Sequence, residues 1–495
     1  MMIIADPIAT HARTQPHSLA IGDAESGTRW SYRALDNAVN RTAAFLAETL
    51  GPASGERVAT LARNDVNIVI LQLACARAGA IFVPFNWRLA GPEIDALIQD
   101  ATPALLFHDA DFSPAAARCQ TYLLSDVAAL VAQAGAVPPP EARRDFEAPT
   151  TLLYTSGTSG TPKGVMISES NALWGNFNFI FGNDVGTNSV FLCDMPLFHT
   201  AGLFAAVRVP LTAGGAVWIS KGFDVIKTLA RIADPALAIT HYFSVPQMAQ
   251  MLWNHNEFDP AMLRGLRVWA TGGAPNPPAQ IERFVRAGIN MSNGFGMSET
   301  GSNFGMPVAD KAQLLAKSGS CGLPYISVET RIVDASGRDV MRGEAGELWL
   351  RSPSITTGYW NRPDLTAHAF ADGWFKTGDV ASQDCDGFFY LVDRKKDMYI
   401  SGGENVYPAE VEAILCEHED VAECAVIGVP DEKWGEVGAA FIIARPGSAL
   451  TQKIIIDHCA ARLAKFKVPV LAILTDAIPR TASGKVQKHV LKTMI

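Results

Sequence analysis

Three glycines, five hydroxyl side chains and a lysine fall within ten residues, Thr155-Ser156-Gly157-Thr158-Ser159-Gly160-Thr161-Pro162-Lys163-Gly164. Glycine lets backbone N–H groups turn toward a phosphate with no Cβ in the way. The hydroxyls add donors, and Lys163 adds a point charge. Pro162 stands where a Walker A loop carries the glycine before its lysine, so the stretch is not that motif. A Gly/Ser/Thr-rich loop alone reads equally as a turn. A lysine set between Thr-Pro and Gly shifts the reading to phosphate binding, by Thr155, Ser156, Gly157, Thr158, Ser159, Gly160 and Lys163.

A second stretch, Asn293-Gly294-Phe295-Gly296-Met297-Ser298-Glu299-Thr300, combines three chemistries within five positions. Phe295 offers a ring for stacking, Ser298 a hydroxyl for a phosphate oxygen, and Glu299 a carboxylate that can hold Mg²⁺. A third, Ala270-Thr271-Gly272-Gly273-Ala274-Pro275, follows the strand-like Leu266–Trp269. Its two glycines allow a flat ring or a chain to approach the backbone, or simply make a tight turn.

These residues need a scaffold, and the chain supplies an alternating one. Apolar spacing near 3.6 predicts a helix over Arg33–Leu50. A strand over Arg57–Leu61, a helix over Asn64–Ala78, a strand over Ala80–Phe85 and a helix over Pro92–Asp100 follow. This rhythm predicts an α/β fold with a mostly parallel sheet covered by helices. Residues 318–392 shift to short β runs, and the charged Asp393–Asp397 reads as a solvated turn or as a hinge. The expected division is a large N-terminal domain, 1–392, of parallel-sheet αβ layers plus a short β-rich section. A small, mobile α+β domain, 393–495, follows.

With 495 residues, 48% hydrophobic and 18% charged, the chain is a compact enzyme-like protein and not a disordered one. A net charge of −9 without a basic tract argues against a nucleic-acid partner. The eight cysteines are scattered, which favours reduced thiols. Met1–Thr10 is too briefly apolar for a signal peptide, and Ile68–Phe85 reads as a buried helix running into a strand, so no integral membrane association and a cytoplasmic location are expected. A single chain and a homodimer both fit the sequence.

Taken together the motifs resemble those of the adenylate-forming superfamily: acyl-CoA synthetases, peptide-synthetase adenylation domains and firefly-type luciferases. The resemblance runs from about residue 15 to 493, with the motifs in family order. Asn293–Thr300 is similar to the family's Tyr-Gly-x-Thr-Glu motif, with Phe295 replacing Tyr and Ser298 replacing Thr. Both departures keep the stacking face or the hydroxyl. The resemblance implies that Gly273, Ala274 and Pro275 line the adenine and acyl pockets with Asn293, Gly294, Phe295 and Gly296. It implies that Asp379, in Thr377-Gly378-Asp379, bonds the ribose hydroxyls, and that Arg394 lies near the ribose and phosphates. Tyr399–Pro408, with Ser401, Gly402 and Gly403, would border the entry of the CoA pantetheine. Pro479-Arg480-Thr481-Ala482-Ser483-Gly484-Lys485 matches the catalytic-lysine loop. The implied cofactors are ATP, Mg²⁺ on Glu299, and CoA; the implied catalytic residues are Lys485, Ser298, Glu299 and His199.

The implied reaction joins a carboxylic acid to CoA through an acyl-adenylate, releasing diphosphate and AMP, with the C-terminal domain turning about Asp393 between half-reactions. His199, in Pro196–Phe204, would line the carboxylate entrance. The small, neutral neighbourhood (Ala201, Gly202, Ala205, Gly272, Gly301, Ser302) favours an apolar or aromatic monocarboxylate. The run Asp393–Glu412 with Glu423–Pro430 looks most like bacterial fatty-acyl and feruloyl- or coumaroyl-CoA synthetases; aromatic acids are favoured slightly over straight chains. Arg208 reads as a core or helix-surface residue more than as an anchor for a second carboxylate. A ligase that loads a carrier protein and a non-catalytic adenylate-binding protein share the nucleotide motifs.

Overall fold

The computed structural model describes residues 6–112, 119–133, 145–155, 162–274, 276–394, 397–401, 404–431, 434–481 and 485–495. The chain forms two compact units. One comprises Met1–Ser318, Gly322–Glu329 and Arg351–Gly373; the other comprises Gly319–Cys321, Thr330–Leu350 and Trp374–Ile495.

The first unit holds two sheets. In one, the described strands Leu19–Asp23, Ala216–Ile219, Val190–Cys193, His241–Ser244, Val268–Thr271 and Met291–Met297 run parallel in that spatial order. Their interiors are buried on both faces (Val217, Phe191, Tyr242 and Trp269 are at most 1% exposed), as a helix-covered parallel sheet requires. Gly301–Gly305 turns back antiparallel on Met291–Met297 at one edge. Because the five strands from Ala216 to Met297 are parallel and adjacent, the segments leaving their carboxyl ends gather on one edge, where open α/β sheets bind ligands. The stretches after Cys193, Thr271 and Met297 are the ones that carry His199, Gly273 and Ser298.

The second sheet contains Gln120–Leu123, Leu105–His108, Arg57–Leu61, Ile81–Pro84 and Pro149–Thr155 in parallel, with Lys163–Ser168 antiparallel at its edge. The helix Val66–Ala78 beside it is buried all round, starts on the Asp65 carboxylate, which accepts the Asn67 N–H at 2.9 Å, and stops at Gly79, whose φ of +72° ordinary residues resist. No described helix is long and apolar enough to cross a membrane.

In the second unit Gly346–Arg351, Trp374–Gln383 and Phe389–Arg394 form an antiparallel ladder. Farther on, Tyr399–Ser401, Glu404–Val406, Val421–Asp431 and Gly435–Ala444 pair antiparallel, with Leu471–Leu474 parallel beside the last. Side chains alternate across this sheet. Val426, Ala440 and Ile442 pack on one face with Val411, Leu415 and Ile455 from the helices Pro408–Cys416 and Gln452–Ala460. Ala425, Ile427, Ala439 and Phe441 pack on the other with Ile478 and Leu491. Two local features bear on the site. Gly378, with φ of +71°, stays within Trp374–Gln383, and the ladder shifts register after it, between Val380 and Ala381. Asp393 and Arg394 close the strand Phe389–Arg394.

Candidate active site

Lys163 opens the return strand of a hairpin, directly opposite Thr155. Ser156, Gly157, Thr158, Ser159 and Gly160 lie outside the described residues. Thr155 Oγ1 is buried with no partner among the described residues, an orphan that a phosphate oxygen would satisfy. The Lys163 ammonium donates to the Tyr359 hydroxyl at 2.7 Å and lies 3.2 Å from Glu299 Oε1. The Tyr359 hydroxyl donates in turn to the same carboxylate oxygen at 3.1 Å. Ammonium, phenol and carboxylate thus close a three-membered ring of contacts, all within the first unit.

Each member is placed by its own backbone. Glu299 sits on a turn fixed by the Met297 N–H on Thr300 Oγ1 (3.2 Å) and by its own carbonyl, which accepts the Thr356 N–H at 2.7 Å. Tyr359 follows Gly358, whose φ of +148° and 2.5 Å from a built Cβ to Thr366 Cγ2 leave room for glycine alone. The Tyr359 N–H then donates to Thr366 Oγ1 at 2.9 Å. The carbonyl of Gly164 accepts the Trp360 N–H at 2.8 Å, which lays this segment along the Lys163 strand. Burial, and then the charge of Glu299, push the Tyr359 phenol far above its usual pKa, so it remains a donor to the carboxylate.

Glu299 fits a magnesium site on this evidence of contact. Its side chain is 6% exposed and already bears a cation, the lysine ammonium, at contact distance. Among the described residues no three His, Cys, Asp or Glu side chains gather around a common point. That suits Mg²⁺, which takes one or two carboxylates and completes its shell with phosphates and water.

Ser298 is next. Its hydroxyl accepts a hydrogen bond from Thr200 Oγ1 at 2.9 Å. Thr200 precedes a π-helical segment, Ala201–Arg208, that continues as the α-helix Val209–Ala213; such segments recur at functional sites. Gly202 is obligatory there, because a Cβ would stand 2.2 Å from the Pro196 carbonyl oxygen. His199 Nδ1 accepts the Ala201 N–H at 3.3 Å, which leaves the proton of the neutral ring on Nε2. Arg208 is buried and bridged to Glu169 (Nη2 to Oε2, 2.8 Å), in line with its reading as a core residue. Thr200 and Ser298 line one narrow hollow with Ala172, Gly175, Asn176, Ala205, Gly301, Ser302 and Ser354.

Gly272 and Gly294 meet where the neighbouring parallel strands end: a Cβ on Gly272 would lie 3.1 Å from the Gly294 carbonyl. Gly273, with φ of +83°, turns the chain out, and Ala274 follows partly exposed. Pro275 lies outside the described residues. Asn293 is buried opposite Thr271, and the half-buried Phe295 ring packs edge-on to Phe304 at 5.9 Å, one strand from Gly273. The glycine-rich and Phe-Gly-x-Ser-Glu stretches therefore share an edge.

In the second unit Asp379 is buried and pairs in register with Arg394, so the two ribose-side expectations stand opposite one another. The Thr377 hydroxyl accepts the Asp379 N–H at 3.0 Å and donates to the Leu348 carbonyl at 2.7 Å. Ser401 is buried at the end of its strand; Gly402 and Gly403 lie outside the described residues. Lys485 is exposed on a tight return: the Thr481 N–H donates to the Lys485 carbonyl at 2.7 Å and the Lys485 N–H to Thr481 Oγ1 at 3.1 Å. Arg480 anchors this return through its guanidinium on Glu423. Tyr359, Thr200 and the Arg480–Glu423 pair were not anticipated from sequence. Tyr359 had only a Gly-Tyr-Trp run ahead of Pro363 to announce it.

Residues 8–360 match the family model for AMP-binding enzymes, and residues 410–485 match that for the AMP-binding enzyme C-terminal domain. The chain is 38% identical over 477 residues to a feruloyl-CoA synthase of an Amycolatopsis species, covering 96% of each. It is 34% identical over 514 residues to an indoleacetate–CoA ligase of Aromatoleum aromaticum, covering 100% of this chain and 98% of that one. The o-succinylbenzoate CoA synthetase MenE of Bacillus subtilis, solved with its acyl-adenylate intermediate, superposes with a TM-score of 0.88 at 29% identity over 99% of both chains. The same enzyme has been solved with ATP and magnesium ion.

Proposed function

The chain belongs to the AMP-binding enzyme family and is an AMP-forming acid–CoA ligase that uses ATP, Mg²⁺ and CoA; within that activity we propose that its acid is aromatic, of the phenylpropenoic (ferulate- or coumarate-like) kind. The observation that carries this reading is the hollow beside Ser298. Its wall sets the small Ala172, Gly175, Ala205 and Gly301 among the apolar Ile167, Phe204 and Val209, a neutral lining of the kind that takes the flat face of a ring. The relatives named for feruloyl and indoleacetate substrates support the same direction. Arg208, committed to Glu169, offers no cation to a second carboxylate. A medium- or long-chain fatty acid is the second reading, since Ile167, Phe204 and Val209 give the same wall an aliphatic and aromatic surface.

The residues divide the work as follows. A carboxylate is a poor electrophile, and transfer to the α-phosphate of ATP gives it AMP as leaving group. The Nε2–H of His199 orients the incoming carboxylate. Charge that builds on the phosphoryl oxygens meets the Ser298 hydroxyl and the Lys485 ammonium, while the Thr155–Lys163 loop holds the β and γ phosphates. Mg²⁺ on Glu299 neutralises phosphate charge when bound. In the second half-reaction the CoA thiol attacks the acyl carbonyl beside Ser401–Gly403. Lys485 and that segment belong to one chain region, 393–495, which turns about Asp393 so that each serves in its own step. We place the enzyme in the cytoplasm, where its three co-substrates are at hand.

The test is diphosphate release with ATP and Mg²⁺ across acetate to palmitate, benzoate, 4-coumarate, ferulate and malonate, with and without CoA. Ferulate or 4-coumarate should lead, CoA should raise the rate, and Lys485→Ala should abolish it. Palmitate outpacing every aromatic acid would overturn the aromatic reading; indifference to CoA would point to a carrier-protein acceptor.

A further inference from the structure

We propose that Thr200 is a positioning residue for adenylate formation: by donating to Ser298 it commits the Ser298 proton to the reacting phosphate. The inference rests on the reading of Ser298 as a phosphate donor. A serine hydroxyl has one proton and two lone pairs, and its proton rotates to whichever acceptor is nearest. Thr200 Oγ1 lies 2.9 Å from Ser298 Oγ and gives its own proton to it. One lone pair of Ser298 is then occupied, and the threonine oxygen is turned away as a competing acceptor for the serine proton. What remains to Ser298 is donation toward the open side.

Two further observations agree. Thr200 stands at the start of the π-helical segment, where a threonine commonly bonds its own helix's amides, yet its hydroxyl makes no such bond. Its one proton goes to Ser298, across 98 residues of chain. Next to it the Ala201 N–H occupies Nδ1 of His199 and fixes that ring's proton on Nε2. Consecutive residues of one turn thus set the proton direction of both a histidine and a serine before any ligand arrives. Such preorganisation spares the transition state the reorientation of two donors.

The experiment is single-turnover adenylation, with ATP, Mg²⁺ and acid but no CoA, on Thr200→Val, Thr200→Ser, Ser298→Ala and the double variant Thr200→Val/Ser298→Ala. Valine keeps the shape and removes the proton. It should slow the step about tenfold at saturating acid, roughly the value of one hydrogen bond, with KM for ATP unchanged. Thr200→Ser should restore most of the rate, and the double variant should be no slower than Ser298→Ala alone. A Thr200→Val enzyme that reaches the wild-type rate at saturation, or only raises KM for the acid, overturns the proposal while leaving Ser298 in place. Additive losses in the double variant overturn it as well. Should Ser298→Ala itself run at full rate, the reading of Ser298 fails instead.

Discussion

The ammonium of Lys163 lies 3.2 Å from Oε1 of Glu299, so a lysine occupies the cation position of the residue that fits a magnesium ion. Two consequences follow from that geometry. Mg²⁺ alone must compete with a tethered cation, whereas Mg²⁺ arriving with ATP brings phosphates that draw the lysine away. Metal and nucleotide binding should therefore be strongly coupled. Electron paramagnetic resonance of Mn²⁺ added without nucleotide checks this. Wild type should bind weakly, Lys163→Met several-fold more tightly, and Lys163→Met/Glu299→Gln no better than wild type. Equal Mn²⁺ affinity in wild type and Lys163→Met would remove the lysine from that role.

Tyr359 accepts from Lys163 and donates to Glu299, and its phenol stays protonated. Tyr359→Phe keeps the ring and deletes both bonds. Glu299 then loses its fixed orientation at a cost of about 1–2 kcal/mol. The loss should appear as a raised Mg²⁺ requirement for diphosphate release, with KM for the acid unchanged. A uniform fall in rate at every Mg²⁺ concentration would point to general disruption.

His241 gives the first unit a pH dependence. The ring is buried and stacked on Phe191 at 4.8 Å, with Nε2 on the Asn183 carbonyl and Nδ1 on the Thr240 hydroxyl. Burial first, and then the charge of Arg267, lower its pKa to about 4. The unfolded chain takes up the proton near pH 6.5 and the folded one does not. Stability contributed by the neutral ring is therefore complete above pH 6.5 and lost progressively as pH falls toward 4, by about 3 kcal/mol. Urea unfolding from pH 7.5 to 4.5 should show this slope in wild type and a flatter one in His241→Gln. Parallel curves would mean that His241 titrates alike in both states.

The parts of the fold that local pattern decides were legible. The strand Arg57–Leu61 forms over the expected residues and the helix expected over Arg33–Leu50 forms as Tyr32–Leu50, because strand and helix periodicity there coincide with burial. The strand order is not written locally, yet the αβ rhythm implied parallel neighbours, and these bring the Gly273 and Ser298 segments to one edge. The strand through Gly378 is not legible locally, because a glycine before an acid signals a turn and only the flanking ladder holds it extended. Tyr359 was invisible for another reason. Its partners lie 196 and 60 residues away, and a Gly-Tyr-Trp run carries no sign of either. Thr200 was hidden in the same way behind the more conspicuous His199.

Cys416 and Cys424 were read only as scattered thiols, but their sulfurs lie 3.5 Å apart in the second unit. Cys416 ends the helix Pro408–Cys416 and is exposed; Cys424 is half-buried in the strand Val421–Asp431. The hydrogen bond from Cys424 holds the Cys416 thiol below its ordinary pKa, whereas the Cys424 thiol is pushed up. An accessible thiol of lowered pKa beside a second thiol is the pairing that a hydroperoxide oxidises. Cys416 attacks the peroxide and becomes a sulfenic acid; Cys424 then displaces its oxygen as water. Per disulfide, two thiols and one hydrogen peroxide give two waters. Peptide mapping after mild peroxide should find a 416–424 crosslink two mass units lighter than the thiol pair, reversed by dithiothreitol. Cys75, Cys193, Cys321 and Cys459, all buried, should stay reduced. The bridge would close only the short 417–423 connection, whose flanks are already tied: Glu412 Oε1 accepts the Val426 N–H at 2.8 Å and lies 2.9 Å from the Lys488 ammonium. Oxidation should therefore stiffen the C-terminal sheet without unfolding it, raising its melting temperature by an amount that Cys416→Ser abolishes. A sulfenic acid trapped at Cys416 with Cys424 still reduced would show that the two sulfurs, though in contact, cannot reach bonding geometry.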